Sequence, residues 1–90
     1  MTSSLPNTIE HAQAEVMGLV EQRPEGTTCP SEVARVLARE AGVTEHWRQF
    51  MPVVHLAVDE LNAQGKVRLS WKSVPMPSRS GPYRIGKANR

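Results

Sequence analysis

Three histidines, one cysteine, an adjacent pair of carboxylates and a run of cations near the C-terminal end carry the chemistry that this 90-residue chain can offer. His11, His46 and His55 form no HxH or HxxxH pair, so their spacing does not predict zinc. Cys29 stands alone, which excludes an internal disulfide and a cysteine metal cluster. Just ahead of a helix start, it reads as a packing residue rather than a nucleophile. Asp59 and Glu60 are neighbours on a predicted helix and point about 100° apart, a poor geometry for shared acid–base work. No glycine-rich phosphate loop is present. These residues therefore predict no enzyme, no cofactor and no metal.

The cations give a different reading. Lys66, Arg68 and Lys72 share one face of a predicted strand, and Arg79 and Arg84 follow it. Arg48, Gln49 and His55 lie on the helical segment before that strand, with Asn62 further along. These side-chain types donate to base edges or phosphates. The expected partner is double-stranded DNA, held by Arg48, Gln49, His55, Lys66, Arg68, Lys72, Arg79 and Arg84. Asp59 and Glu60 lie on or near the same surface and would repel phosphate. The plainer reading of the basic strand is a solvated edge, where lysines discourage edge pairing. The alternative partner is a protein or a second copy, met through the apolar loop Val74-Pro75-Met76-Pro77. Arg84 could instead pair with an acid such as Glu32.

The net charge of +2 hides an asymmetry. Residues 1–45 hold seven acids and three bases, a net of −4; residues 46–90 hold two acids and eight bases, a net of +6. Such a split is a mark of a polyanion-facing surface. No apolar stretch approaches the ~18 residues of a membrane span, and residues 1–20 lack a signal-peptide pattern. The expected compartment is the cytoplasm.

The elements that must position these groups follow from local pattern. Asn7 with Glu10 forms a capping pair ahead of a helix over 8–22, whose apolar positions Ile9, Ala12, Val16, Leu19 and Val20 recur at helical spacing. Pro24 and Gly26 end it. Thr27-Thr28-Cys29 is short and β-branched, suited to brief pairing with a later strand. Pro30 suits the first helical position, and Val33, Val36, Leu37 and Ala41 form the stripe of a second helix that stops at Gly42. Thr44 is the expected N-cap of a third segment containing Trp47, Phe50, Val54, Ala57, Val58 and Leu61. Pro52 either kinks that segment or restarts it after a short turn over 44–50. Gly65 ends it. Val67, Leu69 and Trp71 alternate with charged or polar residues and predict a half-buried strand over 66–72. Residues 73–82 read as a loop and 83–85 as a second short strand.

This order predicts a single mainly α domain with a small β-hairpin over residues 8–86, winged helix-turn-helix-like, with three helical segments and then a two-stranded wing. Residues 1–7 and 87–90 are expected to be frayed termini. The motifs "CPSEVAR" (29–35), Trp47, "MPVV" (51–54), Ala57-Val58-Asp59-Glu60-Leu61, Gly65 and "GPYR" (81–84) together resemble the small bacterial family DUF3253 over roughly residues 8–86. The resemblance implies a compact winged-helix-like domain and carries no assigned activity.

Overall fold

The structure, a computed structural model, describes residues 8–88. The first helix, α1, runs Ile9–Gln22 and buries Ala12, Val16 and Val20, a strict i, i+4, i+8 row. Its N-cap is Thr8, whose side chain accepts from the His11 N–H at 3.1 Å. The capping role expected of Asn7, and the frayed reading of 1–7 and 89–90, fall outside the described residues.

Strand β1, Thr27–Thr28, precedes helix α2, Pro30–Glu40, which begins on its proline. The buried face of α2 is Val33, Ala34, Leu37 and Ala38, whereas Val36 is half-buried and Ala41 exposed. The apolar stripe is thus turned slightly from the expected one. Two alanines on the inner face let neighbouring backbones approach. Both later helix ends are closed alike. Gly42, at φ +77°, lets Val43 N–H reach Ala38 O at 2.9 Å and Gly42 N–H reach Arg39 O at 3.1 Å. Gly65, at φ +76°, does the same for Lys66 to Leu61 and Gly65 to Asn62. Paired bonds of this kind satisfy the last carbonyls of a helix, and the left-handed position costs glycine little.

Pro52 restarts the third segment rather than kinking it. Thr44–Phe50 is a 3-10 stretch broken at His46, and helix α3 runs Met51–Ala63 with the proline in its first turn. The residue preceding the 3-10 stretch is Val43, and no side chain caps it, so Thr44 is its first residue rather than its cap.

The sheet departs from the expected two-stranded wing. It has four antiparallel strands: β1, β2 (Val67–Trp71), β3 (Val74–Met76) and β4 (Arg84–Lys87), in the order β1-β4-β2-β3. Residues 74–76, read as loop, pair with β2, Trp71 opposite Val74 and Leu69 opposite Met76. Residues 87–88, expected to fray, are instead tied to residues 66–67. Lys87 pairs with Val67, and Ala88 N–H donates to Lys66 O at 3.4 Å. As the threonines suggested, β1 pairs with a later strand, Thr27 opposite Gly86 and Thr28 opposite Ile85. Val16, Val20, Val33, Leu37, Val54, Val58, Leu69 and Ile85 fill the core between the helices and one face of this sheet.

A polar clamp fixes β1 to α2. Arg23 donates to both carboxylate oxygens of Glu32, at 3.0 and 2.6 Å, and Thr28 donates to the same carboxylate. These donors hold the Glu32 carboxyl down at about 2. A folded-state pKa below the unfolded one contributes stability above about pH 5, and that stability is lost as pH falls toward 2. The pair is partly solvated, so screening discounts the contribution to about 1 kcal/mol. Glu32→Gln is expected to lower stability by roughly that amount at pH 7 and to flatten the acid limb between pH 5 and 2 in denaturant melts.

Candidate functional site

The segment that joins β3 to β4 is strapped along α3. His55, Asp59 and Asn62 occupy one face of that helix, and each holds a different point of the strap. Asn62 donates to Pro77 O at 2.9 Å, Arg79 donates through two nitrogens to Asp59 at 2.9 Å each, and His55 Nδ1 hydrogen-bonds the Tyr83 hydroxyl at 2.7 Å. Tyr83 is 4% exposed. Burial pushes its phenol up, and burial with the nearby Arg79 charge pushes the His55 imidazole down, toward its neutral form. The Arg79 guanidinium holds the Asp59 carboxyl below its usual range.

The strap changes the standing of several residues with groove-reading chemistry. His55, Arg79 and Asn62 are committed to the chain's own fold. Arg84 donates to Thr27 Oγ1 at 2.6 Å and to Thr27 O at 3.3 Å, and Glu32 is held by Arg23 instead. The exposed positions left on α3 include Pro52, Leu56, Glu60 and Ala63, with no cation among them. Arg48 and Gln49 are exposed on the 3-10 stretch. There the guanidiniums of Arg48 and Arg35 each lie 4.4 Å from the centre of the Trp47 ring, an arrangement that shields the half-buried indole. Lys66, Arg68 and Lys72 are exposed, and none meets a carboxylate among the described residues.

The hairpin of β2 and β3 is the most unusual surface. Trp71 and Val74 face each other across it and are 39% and 64% exposed. The turn between them has only Lys72 and Ser73, both left-handed at φ +52° and +69°. Such two-residue turns favour Asn-Gly because both residues need positive φ. Replacing Lys72-Ser73 by Asn-Gly is therefore expected to raise stability by about 1 kcal/mol, readable as a higher midpoint in chemical denaturation. Beside the hairpin, an open groove of about 390 Å³ is lined by Thr27, Arg68, Ser70, Pro75 and Gly86, among others. A Cβ at Gly86 would meet Gly26 O and Thr27 Cγ2 at 3.4 Å, close to ordinary van der Waals contact.

One polar cluster escaped the sequence reading. His11 Nε2 lies 2.7 Å from Glu40 and 3.7 Å from Glu15. The i, i+4 spacing of His11 and Glu15 was visible in the sequence; the arrival of Glu40 from α2 was not. Cys29, half-buried, sits 3.1 Å from the Ser31 hydroxyl and joins no such cluster.

The family model described as "Protein of unknown function (DUF3253)" matches residues 9–88, from the start of α1 to just past β4. The chain belongs to the DUF3253 family. No curated protein matches it. The strap, the hairpin and the His11 cluster all lie inside the DUF3253 match. No helix among the described residues is long and apolar enough to cross a membrane.

Proposed function

We propose that this DUF3253 domain is a winged-helix-type module that docks a partner protein through its β2–β3 hairpin. The order helix, strand, helix, helix and then three strands, with β1, β4 and β2 adjacent, supports the winged-helix reading if β3 is a strand added to the wing. The observation that carries the docking reading is the exposed cross-strand pair Trp71 and Val74, flanked in the turn by Lys72, which meets no carboxylate among the described residues. An exposed aromatic anchor with a cation beside it, here Lys72 in the adjoining turn, is a usual making of a binding hot spot. Pro75 removes a backbone donor from the edge strand, so the partner is met by side chains rather than by an added strand. The charge favours an acidic, apolar segment as the occupant.

Photo-crosslinking from position 74 in cell extract tests this reading. A discrete adduct that disappears with Trp71→Ala and with Lys72→Glu supports it. An adduct indifferent to both substitutions, or none, removes it. Equilibrium sedimentation distinguishes a second copy of the chain from a different protein.

Double-stranded DNA is the second reading, and a specific observation favours it: Lys72 occupies a strained left-handed turn position that a smaller residue would hold more easily. Contact would run through Lys66, Arg68 and Lys72 with Arg48 and Gln49, and not through His55, Arg79 or Arg84. Neutralising about three phosphates predicts a log–log salt slope of about −3. Arg68→Glu with Lys72→Glu should abolish duplex-induced amide shifts, whereas Trp71→Ala should leave them nearly intact. No shifts at low salt would retire the DNA reading.

A further inference from the structure

We propose that His11, Glu15 and Glu40 form a divalent transition-metal site of the Zn²⁺ class that bridges α1 and α2. His11 and Glu15 are one helical turn apart and share a face of α1. Glu40 is the last residue of α2 and reaches the same point from the neighbouring helix. One ligand atom from each residue lies within 4.8 Å of the other two. A metal with bonds of about 2.0–2.2 Å holds its donors about 3–3.6 Å apart, so His11 Nε2, at 2.7 Å from Glu40 and 3.7 Å from Glu15, already brackets the required spacing.

The chemistry of the donors fits the ion. One imidazole nitrogen and two carboxylates suit Zn²⁺, Co²⁺ or Mn²⁺ better than Mg²⁺, which accepts oxygen almost exclusively. Three protein ligands leave positions for water or a further ligand. The side chains are between a quarter and two-fifths exposed, so an ion can enter from solvent. Burial and the adjoining Glu40 carboxylate raise Glu15, whereas His11 lowers Glu40. Two carboxylates crowded in this way gain from a cation between them. Arg39 acts on both carboxylates and moderates the negative charge of the site.

The test is calorimetric titration of tag-free protein with Zn²⁺, together with the visible absorption of Co²⁺. Cys29→Ser serves as the background, removing the thiol as a competing ligand. The expected result is saturable binding of one equivalent, with a Co²⁺ spectrum showing nitrogen and oxygen ligands. His11→Ala, Glu15→Gln and Glu40→Gln should each weaken binding about tenfold or more, while the exposed His46→Ala should not change it. Metal-free melting curves of each variant establish that the fold is retained. Absence of saturable binding, or binding that survives His11→Ala or falls equally with His46→Ala, would overturn the site.

Discussion

A chain ending at Pro82 is expected to lose its cooperative fold. Strand β4 lies inside the sheet, between β1 and β2, and no other strand can supply pairing to both. The truncation also takes away Tyr83 and Ile85, two of the core's large buried side chains, and the Arg84 bonds to Thr27. Each large buried side chain is worth about 2–5 kcal/mol, and a domain this small has a total stability near the low end of ~5–15 kcal/mol. The expected record is a thermal scan without a transition and a collapsed amide spectrum. A cooperative melt in the truncated chain would show that β4 is an accessory to the fold.

Tyr83→Ala is expected to cost about 3–5 kcal/mol, and Tyr83→Phe about 1–2 kcal/mol. The first empties a buried site and releases the strap from α3. The second keeps the ring and removes only the hydroxyl that satisfies His55 at 2.7 Å. Chemical denaturation of the two variants separates packing from hydrogen bonding; equal costs would mean that the hydroxyl alone holds the strap. A pH signature accompanies this difference. The folded chain depresses the His55 pKa through burial first and Arg79 second. A base whose pKa is lowered by folding contributes stability above its unfolded pKa of about 6.5 and loses it as pH falls below that value. Wild-type melts should therefore weaken from pH 7.5 to 5.5. Tyr83→Ala should weaken less over that interval, because opening the site to water relieves the burial that causes the shift.

The strap also frames the choice between the two functional readings. With His55, Asp59 and Asn62 turned to the chain's own residues 77–83, α3 presents Leu56 at 51% exposure and Glu60 to solvent. A groove-reading helix needs donors on that surface. The hairpin instead places an indole and an isopropyl group side by side in water, a pattern that association with an apolar surface would relieve. The substitution Trp71→Ala separates these readings, because docking needs the indole and duplex binding does not.

The amino-acid sequence by itself determined the local architecture. Helical spacing of Ala12, Val16 and Val20 placed α1, Pro30 and Gly42 bounded α2, Gly65 stopped α3, and the alternation of Val67, Leu69 and Trp71 marked β2. Each of these signals acts within a turn or two of the chain, through backbone dihedral limits and side-chain periodicity, so each is legible in one dimension. DUF3253 membership was legible as well, in motifs spread from Cys29 to Arg84. Strand β3 was not, because Val-Pro-Met is short, carries a proline and shows no buried–exposed alternation; only its partner β2 makes it a strand. The reach of β4 through Gly86 and Lys87 was hidden too, because a glycine weakens the strand pattern locally and only pairing with Thr27, Arg68 and Val67 makes it a strand. Above all, the tertiary structure decided which polar groups are spoken for. The partners of His55, Asp59 and Asn62 come from 28, 20 and 15 residues away, and that of His11 from 29. Helical spacing shows which side chains share a face. What arrives to meet that face depends on how the helices and sheet pack, which is a property of the folded core and not of any one segment.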